Sequence, residues 1–212
     1  MQLYAVADIH GKPRRIEMIK KTISTYNPDL LIVAGDITNY TNPGAVLAEL
    51  DGLPVPVLAI RGNTDPERVE RMFHQYRNIL PLHLKEVVMD DVSFVGVSGT
   101  IPVPFSSRIC FREKQMISQL EPLVKPGSVL VAHPPPEGTL DRVMGRFHAG
   151  CRSLRRLMAR CRPCLVICGH IHEASGKEYM GKSLVVNCAM GRKRAGALID
   201  MDQERVVGVK ML

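Results

Sequence analysis

The chain has 212 residues, of which 45% are hydrophobic and 23% are charged, and its formal net charge is +7. This balance excludes an intrinsically disordered chain, and the length predicts a single domain over residues 1–212 with a sizeable core. No apolar run is long enough to cross a membrane and the first residues lack the features of a signal peptide, so we expect a cytoplasmic protein.

Strands and helices alternate in the first third of the chain. Short apolar runs predict three strands, at residues 3–8, 30–36 and 55–62. The second run is apolar on both faces, which is typical of a buried parallel strand. Helical spacing of apolar residues, with a proline near the first turn, predicts helices at residues 13–26 and 43–51, and a third helix is predicted at 66–76.

Hairpins become common after residue 84. Residues 84–99 predict a hairpin that turns at Asp90–Asp91, and a second hairpin turns near Asp202–Gln203 at the end of the chain. The other predicted elements are a proline-rich loop or rim at 101–113, a helix near 112–121, a strand at 128–133, an irregular segment at 134–142, an amphipathic helix at 151–161 and strands at 164–170 and 183–190. Helical crossovers followed by hairpins predict an α/β fold with a mixed two-sheet core covered by helices.

Six cysteines are present, and without a signal peptide we expect reduced thiols: Cys110, Cys151, Cys161, Cys164, Cys168 and Cys188. Cys161 and Cys164 have CxxC spacing, which occurs in redox pairs and zinc sites. Since the sequence has no second CxxC, the interpretation we favour is a helix end and a strand start that carry cysteine.

Basic residues cluster in "KPRRIEMIKK", "CRSLRRLMARCR" and "GRKR". Such clusters bind nucleic acid or form a solvated face that attracts any anionic substrate. Aromatic residues are only 5% of the chain and tryptophan is missing, so surfaces for base stacking are scarce. We therefore favour a phosphate-ester small molecule or nucleotide as substrate, and nucleic acid as the less favoured partner.

Five predicted strands end in a side chain that can bind a metal ion. The candidate ligands are Asp8, His10, Asp36, Asn63, His133, His170 and His172. Ligand sites in α/β sheets lie at the carboxyl ends of strands, so these side chains should converge if the strands are neighbours. Seven donors are too many for one tetrahedral ion but suit two, and one carboxylate can bridge them.

The donor types indicate which metals the site would accept. Imidazole, carboxylate and amide oxygen without cysteine suit Mn, which we expect, and also Fe, Zn, Ni or Co. The pair His170 and His172 is the strongest local signal, because alternate residues of an extended chain project to the same side. Gly35, Gly62 and Gly169 each precede a candidate ligand, where the backbone must turn or pack closely.

The ordered motifs "DIHG", "GDI", "GNTD", "AHPPP" and "GHIHE" resemble those of the calcineurin-like metallophosphoesterases. The resemblance extends from Asp8 to at least Asn187. It is strongest to the small, single-domain, phosphodiesterase-like branch, in which "HPPPEGTLDR", "CGHIHEASG" and a "PVPF" rim have counterparts. It implies a four-layer α/β/β/α sandwich of two mixed sheets flanked by helices.

The resemblance also implies a dinuclear centre that hydrolyses phosphate esters by attack of a metal-bridging hydroxide. One metal would be held by Asp8, His10, Asp36 and His172. The other would be held by Asp36, Asn63, His133 and His170. Asp36 would bridge the two ions, and Asn63 would also offer its amide N–H to the phosphate. The geometry of two-metal sites suits in-line attack on phosphorus without a covalent enzyme intermediate.

Thr64 stands where the family commonly has a histidine that contacts phosphate or protonates the leaving group. Threonine is a poor proton donor, and general acid catalysis typically contributes 10²–10⁴-fold. We therefore expect a phosphodiesterase that favours good leaving groups. His148 is the alternative proton donor, if its loop reaches over the site; the other interpretation is a surface histidine. His74 and His83 are expected to be structural, and Ser106, Ser107 and Arg108 are rim residues that would touch substrate or simply form the rim.

Three other functions remain open from the sequence. A nuclease is favoured by the net charge, and a non-catalytic scaffold of the same fold is disfavoured because all seven candidate ligands are present. A phosphoprotein phosphatase is less favoured, because the family histidine is missing and the chain is short. The oligomeric state is not specified by any sequence feature.

Overall fold

The computed structural model describes residues 1–103 and 106–212. In these ranges the α-helices are α1 (Pro13–Tyr26), α2 (Pro43–Asp51), α3 (Arg68–Phe73), α4 (Glu113–Leu120) and α5 (Arg152–Cys161). The strands are β1 (Gln2–Val6), β2 (Leu30–Ala34), β3 (Val57–Ile60), β4 (Ile79–Pro81), β5 (Glu86–Met89), β6 (Val92–Val97), β7 (Ile101–Val103), β8 (Ser106–Arg108), β9 (Val129–Ala132), β10 (Arg142–Val143), β11 (Phe147–His148), β12 (Leu165–Cys168), β13 (Gly176–Met180), β14 (Ser183–Asn187), β15 (Ala197–Asp202) and β16 (Arg205–Met211). Two 3₁₀ helices cover Glu121–Leu123 and His172–Ala174.

Two six-stranded mixed sheets form the centre of the molecule. The strand order is β16-β15-β1-β2-β3-β4 in the first sheet and β13-β14-β12-β9-β6-β5 in the second. Strands β1 to β4 are parallel, as are β14, β12, β9 and β6, while hairpin strands add antiparallel edges. Two short antiparallel ribbons, β7–β8 and β10–β11, stand apart from the sheets.

Because side chains alternate along the strands, the core consists of three apolar clusters: one between the two sheets and one on the outer face of each sheet. Leu3 and Ala5 of β1 face the second sheet and pack in one cluster with residues such as Phe94. Tyr4 and Val6 point the other way, against α1, α2 and α3. The outer face of the second sheet is covered by α4 and α5. The layers are therefore α/β/β/α, as predicted, and the fold class is confirmed.

Both predicted hairpin turns are confirmed. Asp90 and Asp91 connect β5 to β6 with φ values of +47° and +62°, the left-handed conformation of a tight two-residue hairpin turn. Gln203, with φ of +49°, lies in the turn between β15 and β16. All six cysteines are free, Cys161 ends α5 and Cys164 precedes β12, as expected. In the ranges described, no helix is long and apolar enough to cross a membrane.

Residues 66–81 differ from the prediction. The helix predicted at 66–76 covers only Arg68–Phe73. The chain before it is held in a turn, because the buried carboxylate of Asp65 accepts from Gly62 N–H and from the loop that contains Ile37 and Thr38. The strand β4 was not predicted. It has three residues and ends in Pro81, so it is too short for a periodic pattern, and its place at the sheet edge tolerates proline.

The proline-rich rim and the segment before α5 are also more regular than predicted. Residues 101–103 and 106–108 pair as the ribbon β7–β8, whereas Pro104 and Phe105 of the "PVPF" rim lie outside the described residues. Arg142 and His148, predicted in irregular chain, pair across the ribbon β10–β11. These strands have two or three residues each, below the length at which alternation identifies a strand.

Candidate metal centre

The seven candidate ligands follow the carboxyl ends of β1, β2 and β3 in the first sheet and of β9 and β12 in the second. All five strands lie in the parallel parts of their sheets. The sheets meet at this edge, since Ala7, directly after β1, forms a parallel bridge with Ala189, which follows β14. Strand ends from both sheets therefore contribute to one site.

The backbone leaves the strands in sharp turns at several candidate ligands. Asp8, His10, Asp36 and His170 all have positive φ, between +51° and +68°. This left-handed conformation costs of order 1 kcal/mol for a residue with a Cβ, so the surroundings must hold it in place. The holding contacts cross between the loops: Asp8 N–H donates to Gly35 O (3.0 Å) and His10 N–H donates to Asp36 O (2.8 Å).

Two glycines allow these loops to pack directly against the carboxylates. A Cβ on Gly169 would lie 2.6 Å from Asp8 Oδ2, and one on Gly62 would lie 2.5 Å from the backbone nitrogen of Asp36. Both separations are shorter than atoms tolerate. The prediction that Gly62 and Gly169 permit close packing beside candidate ligands is confirmed.

Asp8 presents a buried carboxylate oxygen to three imidazoles. Its Oδ1 lies 3.0 Å from His172 Nε2, 3.8 Å from His10 Nε2 and 4.0 Å from His133 Nε2. The same Oδ1 has no donor in hydrogen-bond geometry among the described residues. A buried anionic oxygen without a hydrogen bond is unfavourable unless a cation compensates it. The donor set therefore fits a divalent metal ion here.

Asp36 turns its two oxygens towards different imidazoles. Oδ1 lies 3.5 Å from His133 Nε2, whereas Oδ2 lies 3.8 Å from His10 Nε2. The Nε2 atoms of His10 and His172 are 3.5 Å apart, and Asn63 Oδ1 is 3.2 Å from His133 Nε2. Potential ligand atoms form two overlapping groups, Asp8 with His10 and His172, and Asp8 with Asp36 and His133.

His170 faces the second of these groups. Its ring centroid lies 5.2 Å from that of His133, edge to face, and its backbone N–H donates to Asp8 Oδ2 (3.0 Å). The rings of His10 and His172 make the matching pair at 5.4 Å. The four imidazoles thus form two pairs around two carboxylates, a set that suits two ions better than one.

The expected extended chain at His170 and His172 was wrong. Strand β12 ends at Cys168, His170 has φ of +68°, and His172 begins a 3₁₀ helix. Asn187 holds this turn, because its Nδ2 donates to Ile171 O (2.9 Å) while its Oδ1 accepts from Ala189 N–H (3.1 Å). The two imidazoles reach the site because the chain turns, and not because an extended strand alternates.

Several contacts behind the candidate ligands orient them. His133 Nδ1 lies 2.8 Å from Ala34 O, which directs its proton to the carbonyl and leaves Nε2 for a metal. The guanidinium of Arg15 on α1 donates to the backbone oxygen of Asp8. Such outer contacts fix tautomer and ring direction in metal sites.

Asp65 ties two ligand loops together and was not singled out as a site residue by the sequence analysis. Its buried carboxylate accepts from the N–H groups of Gly62 (2.9 Å), Ile37 (3.0 Å) and Thr38 (2.7 Å), and from the Thr38 hydroxyl (2.9 Å). Ile37 and Thr38 directly follow the candidate ligand Asp36, and Gly62 directly precedes the candidate ligand Asn63. Asp65, the last residue of "GNTD", was visible in the sequence, but the direction of its side chain was not.

The local electrostatics favour charged carboxylates beside a compensating positive charge. Burial opposes ionisation of Asp36, yet His133 and the Thr64 N–H hold the pKa of Asp36 below its usual range. Burial likewise opposes charge on His133, but Asp36 and Asp8 raise the pKa of His133 to about 9. Burial and the neighbouring His133 lower the pKa of His170 to about 4. Metal binding displaces such protons, because ligands must be deprotonated.

The two predicted catalytic residues outside the ligand set lie in different surroundings. Thr64 is buried; its hydroxyl donates to Thr38 O (2.7 Å) and lies 3.3 Å from His10 Nδ1. His148 is half exposed on β11, with Nδ1 2.7 Å from Asp141 Oδ1. Since neighbouring side chains of a strand alternate, His148 and Phe147 lie on opposite faces of the ribbon.

Comparisons with known proteins agree on the family and the fold. Residues 1–174 match the family described as calcineurin-like phosphoesterase. The protein MJ1162 of Methanocaldococcus jannaschii is 28% identical over 199 residues, which cover 88% of this chain and 87% of that protein.

Solved structures share the fold at low identity. The protein TT1561 of Thermus thermophilus superposes with a TM-score of 0.74 at 15% identity, covering 99% of this chain and 98% of that chain. A structure described as a novel archaeal phosphodiesterase superposes with a TM-score of 0.55 at 15% identity, covering the whole of both chains.

Proposed function

The chain belongs to the calcineurin-like phosphoesterase family, and on that premise we propose that it is a phosphodiesterase that uses two divalent metal ions. The observation that carries the proposal is the buried Asp8 Oδ1, which faces three imidazole Nε2 atoms within 4.0 Å and makes no hydrogen bond of good geometry to any described residue. We further propose that residues 1–212 act as one domain, because both sheets contribute to the same central hydrophobic cluster.

In this proposal each ion takes four of the side chains. One ion would be held by Asp8, His10, Asp36 and His172, and the other by Asp36, Asn63, His133 and His170. The two oxygens of Asp36 support a bridging role, since they face His133 and His10 separately. When bound, two such cations lower the pKa of water and neutralise charge on phosphoryl oxygens.

The residues of the chain supply position and charge. Asp8 and Asp36 are buried and fixed by backbone contacts, so they move little when ions or substrate bind. The site is open to solvent at His172, whose side chain is 45% exposed, whereas His133 is fully buried. A phosphate ester would therefore approach past His10 and His172. The Asn63 amide would orient one phosphate oxygen.

The preference for diesters rests on the residue at position 64. The Thr64 hydroxyl donates to Thr38 O, so its proton is already engaged and does not reach a leaving group. Without a general acid at position 64, esters with stable leaving groups are favoured, and without an imidazole there the second charge of a monoester gains no cationic partner. The archaeal phosphodiesterase of the same fold is consistent with this substrate class.

The test is a substrate panel on the full chain reconstituted with Mn²⁺, Ni²⁺, Co²⁺ or Zn²⁺. We expect hydrolysis of bis(p-nitrophenyl) phosphate above that of p-nitrophenyl phosphate, and loss of activity in Asp36→Asn but not in the surface control Asp202→Asn. A clear preference for the monoester contradicts the diesterase assignment. Metal binding without hydrolysis of any ester supports a scaffold instead.

A nuclease is the second candidate, and one cavity favours it. A cavity of about 620 Å³ is lined by five cationic side chains: Arg108, Arg112, Lys114, Arg152 and Arg156. Glu113 is the one carboxylate among the described residues that line it, and this carboxylate accepts from the Ile109 N–H (2.9 Å) and the Ser153 hydroxyl (2.7 Å). Ser106 and Ser107 line both this cavity and another that reaches His170. A nucleic acid strand leaving the metal centre could continue there.

Single-stranded RNA and DNA oligonucleotides test this second candidate. The double variant Arg108→Ala, Arg156→Ala should weaken oligonucleotide cleavage and its salt dependence while sparing bis(p-nitrophenyl) phosphate. Arg205→Ala, on the distant β16, is the matched control. No cleavage of either oligonucleotide by a protein that hydrolyses the small diester removes the nuclease.

A further inference from the structure

A second cavity, largely apolar, lies directly beside His170. It has a volume of about 420 Å³, within the range of small-molecule pockets. The ribbon β10–β11 supplies Val143, Met144 and Phe147, and the ribbon β7–β8 supplies Pro102. Ile171 and His170 complete the wall towards the metal centre. One candidate metal ligand therefore borders both the metal centre and this cavity.

The walls of the cavity are attached to the turn that carries the candidate ligands. Met144 N–H donates to Glu173 Oε1 (2.7 Å), and Glu173 belongs to the 3₁₀ helix that begins at His172. Ser107 donates its hydroxyl proton to Ala149 O (2.6 Å), which joins the two ribbons. The distance between cavity and metal centre is therefore set by the fold.

The base of the ribbon β10–β11 is held by a buried carboxylate. Asp141 Oδ2 accepts from the N–H groups of Gly138 (2.9 Å) and Gly150 (3.0 Å), on either side of the ribbon. Val143 and Phe147 are directly paired across it, so their side chains share one face. That shared face lines the cavity.

The cavity is bordered by large apolar side chains that remain open to solvent. Met144 is 77% exposed and Phe147 is 45% exposed. No carboxylate, ammonium or guanidinium lines the cavity in the described part of the chain. A neutral ring would gain by displacing water here, whereas a second phosphate would lose its hydration without gaining a charged partner.

We propose that this cavity binds an aromatic ring carried by the phosphate ester, while the phosphate itself lies at the metal centre. The inference rests on the proposed function and adds a substrate class to it: esters with an aryl group or a nucleobase close to the phosphorus. Val143, Met144 and Phe147 would determine this specificity. They contact the ring and take no part in holding metal.

Phenylphosphonate and methylphosphonate test the inference by direct binding, because their carbon–phosphorus bond is not cleaved by ester hydrolysis. Calorimetric titration of the full, Mn²⁺-loaded chain should give affinity for phenylphosphonate about tenfold or more above that for methylphosphonate. The phosphonate group reports the metal centre, and the ratio of the two affinities reports the cavity.

Substitutions in the wall of the cavity should change the ratio of the phenylphosphonate and methylphosphonate affinities. Met144→Ala and Phe147→Ala should each reduce it several-fold, and Ala149→Leu, which fills the cavity instead of emptying it, should bring it close to one. Affinity for methylphosphonate should stay unchanged in all three. Tyr179→Ala is the control, an exposed aromatic residue on β13 that does not line the cavity.

The possible failures are distinguishable. If the wild-type chain binds both phosphonates equally, the cavity takes no ring and the inference is wrong, while the phosphate site stands. If the preference exists but survives Ala149→Leu, the ring binds elsewhere and the inference is also wrong. If neither phosphonate binds, the proposed function fails, and the inference fails with it.

Discussion

The hydroxyl of Thr64 lies 3.3 Å from His10 Nδ1 while it donates its proton to the backbone oxygen of Thr38. Because that proton is engaged, the hydroxyl accepts from an Nδ1–H, which leaves His10 Nε2 towards Asp8 and Asp36. Thr64 thus lies behind a candidate ligand and is in position to orient it. This contact gives the residue a role that does not require proton transfer.

Thr64→Val should weaken binding of the metal ion at His10. Valine has nearly the same shape but leaves Nδ1 without its acceptor, and loss of such an outer contact typically costs about 10–100-fold in affinity. Calorimetric titration with Mn²⁺ measures the change. Thr25→Val is the control, since the Thr25 hydroxyl donates to Lys21 O on an exposed helix face and bonds to no other residue that the structure describes. Equal Mn²⁺ affinity in Thr64→Val and wild type contradicts the orienting role.

Thr64→His should raise monoester hydrolysis relative to diester hydrolysis. A protonated imidazole can donate to the additional charged oxygen of a monoester, and one such hydrogen bond, worth about 1.5 kcal/mol, corresponds to a gain of about tenfold in kcat/KM for p-nitrophenyl phosphate. The measurement is the ratio of kcat/KM values for the monoester and bis(p-nitrophenyl) phosphate. Melting temperatures accompany it, because the buried site must accept a larger ring. A folded variant without a gain in this ratio counts against our account of position 64.

If His148 supplies the proton, His148→Gln should slow the hydrolysis of esters with poor leaving groups more than that of esters with good leaving groups. Its Nδ1 is held by Asp141, so Nε2 is the atom that would donate. We expect a larger fall in kcat/KM for diphenyl phosphate than for bis(p-nitrophenyl) phosphate, because phenolate needs a proton more than p-nitrophenolate does. His74→Gln serves as the control. Equal effects on the two esters indicate a structural role for His148.

Asp65→Asn should destabilise the protein and loosen the metal centre together. The carboxylate accepts four hydrogen bonds, and an amide NH₂ turned towards the same donors would leave buried groups unpaired, at a cost of about 1–3 kcal/mol. Urea unfolding and Mn²⁺ titration measure the two effects. Asp90→Asn, in the exposed β5–β6 turn, should change neither. If Asp65→Asn is as stable as the wild type, the four hydrogen bonds of Asp65 are not needed to hold the two loops together.

Metal-free protein should lose stability as the pH rises from about 7 to 9. The pKa of His133 is raised to about 9 in the fold, where burial is outweighed by Asp36 and Asp8, whereas an unfolded histidine titrates near 6.5. A raised pKa gives stability that is complete below the unfolded pKa and is lost as the pH passes the folded one.

Thermal unfolding in the presence of a chelator checks this dependence. The melting temperature of the wild type should fall between pH 6.5 and 9.5 more than that of His133→Asn, which lacks the titrating group. Saturating Mn²⁺ should reverse the trend, because metal binding needs the neutral imidazole. If the melting temperature of the wild type falls no more than that of His133→Asn, the prediction is wrong.

The sequence predicted the fold class and the convergence of the candidate ligands for a local reason. Apolar runs such as that of β2 record burial on both faces, and a polar residue such as Asp36 directly after a run marks the strand end. Parallel strands then place their ends at one edge, whatever the details of packing. These features depend on residue type and spacing, which a sequence contains.

Directions and partners of side chains were decided by the tertiary structure. The His170–His172 segment was predicted to be extended, yet Asn187 from a neighbouring strand holds it in a turn. Thr64 was expected only to be a poor replacement for the family histidine, and the structure shows its hydroxyl held between Thr38 O and His10 Nδ1. The cavity beside His170 is formed by two ribbons too short to be read as strands. A sequence determines which residues are buried and where strands end, but contacts between residues far apart in the chain decide where each side chain points.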